Sequence, residues 1–167
     1  MFAGHLFSFS MDRGILPVYG QQQYSFLMSW GSKGVSLGSF KQPLEIAIDS
    51  NGDVYVTDAS SVSNQVQKFT NNGTFILSWG LTGLGDGQFI NPIGLTTDST
   101  DNVYVGDFGE NSRIQKFDGN GKFITKWGST GSNDGQFIDP ISVTVNSSGK
   151  VYVVDGGNSR IQVFTIQ

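Results

Sequence analysis

Residues 149–164 read Gly149-Lys150-Val151-Tyr152-Val153-Val154-Asp155, then Gly156-Gly157-Asn158-Ser159-Arg160-Ile161-Gln162-Val163-Phe164. Apolar and polar residues alternate here over short stretches, the two-residue period of a half-buried strand, and a Gly, Asn and Ser cluster separates the stretches as a turn does. The same text occurs twice more. Val151-Tyr152-Val153 is matched by Val54-Tyr55-Val56 and Val103-Tyr104-Val105, Asp155 by Asp58 and Asp107, and Phe164 by Phe69 and Phe117. Upstream the match runs through Pro43, Pro92 and Pro140 and through Phe40, Phe89 and Phe137 to Trp30, Trp79 and Trp127, each followed by glycine. Equivalent residues stand 47 to 49 apart throughout, so the chain is a repeat, and the repeat governs every local reading.

Four strands fit in each unit. In the second they span about Ile93–Asp98, Asn102–Asp107, Arg113–Asp118 and Lys122–Trp127, and Asn-Gly pairs at 51–52, 72–73 and 120–121 fall at such junctions, where tight hairpins need positive φ. One small antiparallel sheet per repeat follows. A lone sheet of this kind cannot bury both faces, so it must stack on its neighbours, and a four-stranded unit repeating every 40 to 50 residues is the mark of a β-propeller blade. The expected fold is all-β, with blades at about 40–80, 89–128 and 137–167 and residues 26–31 as a displaced strand that completes a blade. Residues 1–25 carry no repeat and read as a tail.

The third unit joins Asn133-Asp134-Gly135-Gln136-Phe137 and Pro140 to the valine triplet and to Asn158-Ser159-Arg160-Ile161-Gln162-Val163-Phe164. The second has Asp86-Gly87-Gln88-Phe89 and Asn111-Ser112-Arg113-Ile114-Gln115-Lys116-Phe117. This pattern resembles the NHL repeat. The first unit departs from it, with Gly38-Ser39-Phe40 for the Gly-Gln-Phe and Asn64-Gln65-Val66 where the others carry arginine. The resemblance covers residues 26 to 166 and implies propellers that usually have six blades, of which three are here. It is specific for fold and weak for activity, since unrelated functions share one propeller frame.

An open arc of three blades leaves an uncovered apolar face at each end. The third unit stops after its third strand, whereas a fourth-strand pattern stands first: Phe26-Leu27-Met28-Ser29-Trp30 matches Phe75–Trp79 and Phe123–Trp127. Two copies related by a twofold axis, each lending this strand to the other, would close a six-bladed ring as a homodimer. A fragment of a longer repeat protein fits the same pattern.

Composition removes several classes of function. Of 167 residues, 10 are Lys or Arg and 14 are Asp or Glu, a formal net charge of −4, which argues against nucleic acid and anionic membrane as partners. Without cysteine the chain has no disulfide, thiolate nucleophile or cysteine-bound zinc. The single histidine, His5, lies outside the repeats, which excludes the histidine-bound zinc used by some similar propellers. No stretch is long and apolar enough for a membrane span. Residues 1–25 make a poor secretion signal, because the apolar run is short and no basic residue precedes it. Read as a remnant signal they imply a secreted or cell-surface protein, and otherwise a cytoplasmic one.

Asp58, Asp107 and Asp155 read as braces that meet a nearby arginine or loop amides across a hairpin. Three similar sites are also the opposite of one asymmetric catalytic constellation. Asp86 and Asp134 read as caps of tight turns, Asp49–Asp53 as an Asn-Gly hairpin, and the three tryptophans as blade packing. Lys116, Lys122 and Lys126 form a modest basic cluster. Calcium is the one metal considered, with Glu45, Asp49, Asp98 and Asn146 as its ligands; otherwise no cofactor is expected. The expected function is a non-enzymatic scaffold that binds protein, peptide or glycan, with a calcium-dependent lyase or hydrolase as the alternative. The resemblance places the loops joining second to third strands and those linking blades on one face. Its candidate residues are Asp86, Asp107, Glu110, Asn111, Arg113, Asp134, Asp155, Asn158 and Arg160.

Overall fold

A computed structural model describes residues 24–61 and 63–165. It contains three antiparallel sheets and, among the described residues, no α-helix. Sheet 1 is β1 (Pro43–Ile48), β2 (Val54–Ser60), β3 (Ser63–Phe69) and β4 (Phe75–Trp79), in that order. Sheet 2 repeats it with β5 (Pro92–Thr97), β6 (Val103–Asp107), β7 (Arg113–Phe117) and β8 (Phe123–Trp127). Sheet 3 has three strands, β9 (Pro140–Val145), β10 (Val151–Asp155) and β11 (Arg160–Phe164), with a 3-10 turn at Gly156–Asn158. The strands expected for the second unit thus stand within a residue of their observed bounds. No helix among the described residues is long and apolar enough to cross a membrane.

The valine-tyrosine-valine triplet explains the stacking. Successive side chains on a strand point to opposite faces, so Val103 and Val105 pack toward sheet 1 with Tyr55 and Val66, while Tyr104 packs toward sheet 3 with Val143, Val151 and Val153. Strand β6 is therefore buried on both sides, and the core lies between sheets instead of inside one. Ile114, fully buried in this way, gains on the order of 1.5–3 kcal/mol over an exposed isoleucine. Each inner strand begins on proline, a strand-start position where the missing N–H costs no ladder bond. A register shift follows at Pro43 and Pro92.

Among the described residues the arc has two uncovered faces. Ile46, Leu95 and Val143 hold the same place in β1, β5 and β9, opposite Val56, Val105 and Val153. Ile46 is 54% exposed, against 5% and 4% for the other two, which a preceding sheet covers. At the other end Ile161 is 59% exposed, whereas Val66 and Ile114 at that place in β3 and β7 are fully buried. Residues 24–32 form no strand. The tail reading for residues 1–25 lies, up to residue 23, outside the described residues.

Candidate functional site

Each inner strand runs between two sets of polar side chains. Asp58, Asp107 and Asp155 pair with the prolines at its start, and Asp49, Asp98 and Asn146 follow its end. The first set supports the loop face and the second closes hairpins on the opposite face, so the two cannot combine into one site.

All three aspartates of the first set are buried. Asp107 Oδ1 accepts the N–H groups of Ile90 and Asn91 at 2.8 and 3.0 Å. Asp58 takes those of Lys41 and Gln42, and Asp155 that of Ile138. The side chain of Asn111 donates to Asp107 and to the Gly83 carbonyl, and Asn158 repeats both bonds with Asp155 and Gly131. Arg113 lies 3.4 Å from Asp107 and donates to the carbonyls of Leu84, Gly85 and Gln88. Arg160 lies 2.7 Å from Asp155 and donates to those of Asn133 and Gln136. The two carboxyls shift in opposite directions. Burial between two sheets pushes Asp107 above the usual carboxylate range despite its amide bonds. Burial also raises Asp155, but the closer Arg160, with the Ile138 amide and Asn158, outweighs it and holds that group low.

Six of the nine candidate residues, Asp107, Asn111, Arg113, Asp155, Asn158 and Arg160, therefore tie the links between blades to the hairpins. The other three stand outward. Glu110 is exposed, Asp86 pairs with Lys126 at 2.6 Å, and Asp134 lies 3.8 Å from Arg160. Neither Asp86 nor Asp134 caps its turn as expected. Gln88 and Gln136 do so, their Oε1 atoms accepting the N–H of Gly85 and of Asn133.

A second amide device escaped the sequence reading. The buried Gln115 accepts the Gly87 N–H at 2.9 Å and donates to the Gln88 carbonyl at 2.8 Å. Gln67 and Gln162 make the same two bonds to their own links. Their recurrence in every unit was the visible signal, and a buried neutral side chain gave no chemical reason to follow it.

These ties leave a cleft beside each of sheets 1 and 2, between the link that enters the sheet and the link that leaves it. At sheet 2 a cavity of about 340 Å³ is walled by Leu84, Glu110, Arg113, Lys126 and Thr130. At sheet 1 an equivalent of about 260 Å³ is walled by Val35, Gln65, Leu81 and Thr82. Val35 and Leu84 both stand five residues after the tryptophan, so each cleft sets an exposed aliphatic side chain among polar groups, joined in the first by Leu81.

On the opposite face Asp49 Oδ1 accepts the N–H of Asn51 and Asp53, and Asp98 and Asn146 close their turns alike. This is the expected Asn-Gly hairpin at 49–53, with Gly52 at φ +83°. Tyr55 and Tyr104 donate to Asp49 and Asp98, and Lys68 and Lys116 lie over the two rings. Burial raises Asp98, but hydrogen bonds from Asn102 and Thr100 hold it well below the carboxylate range. Burial pushes Tyr55 up to about 12. Asp49 and Asp98, two of the expected calcium ligands, thus have these partners, and among the described residues no three of His, Cys, Asp and Glu group so as to hold a metal.

The basic cluster breaks up in three dimensions, since Lys116 pairs with Asp98 and Lys126 with Asp86. The tryptophans pack as expected. Trp79 lies on Phe117 and Tyr55 and against Gly121 of the next sheet, and Trp127 lies on Tyr104 and Phe164.

Repeated sheets braced at one end by an aspartate and a glutamine, joined by arginine in sheets 2 and 3, define a β-propeller of a single repeat type. The model of the NHL repeat matches residues 40–69, 89–117 and 137–164, together just over half of the chain, and the chain belongs to the NHL-repeat family. Among solved structures, a protein of unknown function from Bacteroides thetaiotaomicron is similar at TM-score 0.59 and 17% identity, covering 70% of this chain and 33% of that one. Virginiamycin B lyase from Staphylococcus aureus gives 0.53 and 18%, covering 75% and 41%. A gluconolactonase from Xanthomonas campestris gives 0.51 and 14%, covering 71% and 36%. The chain therefore spans between a third and about two fifths of these structures, and at such identities the likeness shows the fold alone. No curated protein matches the sequence.

Proposed function

We propose that the chain is a non-enzymatic scaffold that holds a protein or peptide ligand on its loop face, in the clefts between successive links. The observation that carries this reading is the pair of equivalent clefts, each presenting an aliphatic side chain, Val35 or Leu84, on links held by buried hydrogen bonds. Links tied in this way lose little freedom when a ligand docks, which favours affinity. A peptide suits the clefts better than a glycan, because their lining offers no aromatic ring for a sugar and the tryptophans are committed to blade packing.

Panning a random-peptide display library on the purified chain tests the reading. Enriched peptides should lose at least tenfold in affinity for Leu84→Asp and for Glu110→Lys, with the urea midpoint of both variants unchanged. Peptides that bind both variants as well as the parent would refute it. Stoichiometric calcium uptake in titration calorimetry, lost on carboxylate substitution, would favour the calcium-dependent lyase or hydrolase.

A further inference from the structure

The geometry points to a strand-exchange interface between two copies of this chain, in which Phe26–Trp30 of one copy becomes the fourth strand of sheet 3 in the other. The claim does not depend on what the loop face binds.

The acceptor is a defined slot. At the junction of sheets 1 and 2, Phe123 of β8 packs with Phe117 and Tyr55, and the turn before it brings Gly121 under Trp79. At the next junction that space is a cavity of about 520 Å³ lined by Tyr104, Lys116, Trp127, Val151 and Phe164. Tyr55 and Lys68 both donate to the Gly119 carbonyl of the neighbouring sheet's turn. Tyr104 and Lys116 hold the same places beside the cavity. Strand β11, which among the described residues pairs only with β10, offers its other edge along it.

The donor is already placed. Trp30 lies against Gly73 of sheet 1 as Trp79 lies against Gly121 of sheet 2, and it packs on the Val54, Val56 and Phe69 cluster. Residues 26–30 thus sit where the fourth strand of a sheet preceding sheet 1 would sit, with no strand beside them among the described residues. A cavity of about 350 Å³ between Trp30, Phe40, Leu44 and Ile46 marks the place of that sheet. Phe26 is 84% exposed, whereas its equivalents Phe75 and Phe123 pack into the core. Tyr24 stands where Gly73 and Gly121 stand, two residues before the phenylalanine. Those glycines have φ of +82° and +78° with a ring against them, a place that a tyrosine does not fill. The segment is therefore built to be added to a sheet, not to turn back within one.

A second copy fits as the occupant because it carries the same fourth-strand pattern at Phe26–Trp30, whereas the chain's own Phe26–Trp30 is docked on sheet 1 with sheet 2 between it and the slot. In the register of β4 on β3 and β8 on β7, Phe26 falls opposite Phe164, Met28 opposite Val163 and Trp30 opposite Ile161. The exchange covers Ile161 and Val163 at one end and Ile46 at the other in a single step. Performed twice about a twofold axis, it joins six sheets without an uncovered edge.

Because the chain has no cysteine, the register can be read directly. Met28→Cys and Val163→Cys, carried on separate chains and mixed under mild oxidant, should form a hetero-disulfide, since cross-strand neighbours lie within disulfide reach. Ile76→Cys with Val163→Cys should not. Sedimentation equilibrium of the parent should give twice the 18.0 kDa chain mass, and Phe26→Asp should return it to one chain mass with an unchanged circular dichroism spectrum. A parent that stays monomeric at micromolar concentration overturns the inference. So does a dimer that survives Phe26→Asp, or one that links Met28 to Met28 in preference to Val163.

Discussion

Lys116 Nζ lies 3.3 Å from Asp98 Oδ2 and 4.8 Å from the centre of the Tyr104 ring. Sheet 1 builds the same trio from Lys68, Asp49 and Tyr55, at 3.4 and 4.9 Å. Sheet 3 has Asn146, Tyr152 and Val163 at these places, so its lysine and aspartate are lost together while the tyrosine stays. A half-built pair would bury one uncompensated charge, which is costly where both side chains are only about a tenth exposed. The turn survives the exchange because Asn146 Oδ1 accepts the Ser148 and Lys150 N–H groups as Asp98 accepts those of Thr100 and Asn102.

Asp98→Asn should therefore cost about 2 kcal/mol at pH 7, the scale of a charge-assisted bond. Adding Lys116→Val should recover most of that loss, with a coupling above about 1 kcal/mol in a urea-denaturation cycle. The folded Asp98 carboxyl sits below its unfolded value, so its contribution is complete above about pH 3.9 and fades as pH falls further. The deficit of Asp98→Asn should shrink in the same window. Additive single effects would show that the pair is not a unit.

Gly121 and Gly135 separate two costs that are usually confounded. Their φ angles are +78° and +77°, but a Cβ on Gly121 would lie 2.6 Å from the Trp79 ring, whereas one on Gly135 meets nothing within 4 Å. Gly135→Ala should cost only the left-handed backbone term, about 1–2 kcal/mol. Gly121→Ala adds the displaced indole and should cost at least twice as much by the same denaturation assay. Equal losses would mean that the indole moves freely.

The fold was legible because it is written three times. Any one unit is a few short apolar runs, but three copies in register fixed the strands of sheet 2 to within a residue. The braces at Asp107 and Asp155 were legible for the same reason, since an aspartate a few residues before an arginine across a turn has an evident partner. The clefts were not, because they lie between Leu84 of one link and Thr130 of the next, residues 46 apart in sequence. Asp86 and Asp134 misled, since a turn aspartate usually caps and here a glutamine two residues on does so instead. Asn111, which reads as an outward loop residue beside Glu110, proves to donate to a buried carboxylate.

Gln115 should be among the least replaceable polar residues of sheet 2. It is fully buried, and its two bonds satisfy an N–H and a carbonyl of the link that have no ladder partner. Gln115→Leu keeps much of the volume and strands the Gly87 N–H, while the Gln88 carbonyl keeps its bond from Arg113, for a loss on the order of 1–3 kcal/mol. Amide exchange at Gly87 should accelerate with it. Slow exchange at Gly87 in that variant would show that another acceptor takes over.

Arg113 and Arg160 occupy equivalent places, yet their loss should not be equivalent. Both positions correspond to Gln65 in sheet 1, so glutamine is the natural replacement. The Arg113 side chain is 5% exposed and serves three carbonyls, while that of Arg160 is 28% exposed and serves two. Arg113→Gln should cost about 2–4 kcal/mol, and Arg160→Gln, discounted for solvent screening, about 1 kcal/mol. The pH windows differ as well. Asp107 already sits above its unfolded value, and losing the guanidinium raises it further, so acidification through that raised value relieves the buried charge. The deficit of Arg113→Gln should begin to shrink above pH 3.9. Asp155 is held low by Arg160, so the deficit of Arg160→Gln should persist further into acid and disappear only below about pH 3.9, where the paired carboxylate of the parent itself protonates. Urea denaturation at pH 7, 5 and 3 distinguishes the two, and identical profiles would mean that both aspartates titrate alike.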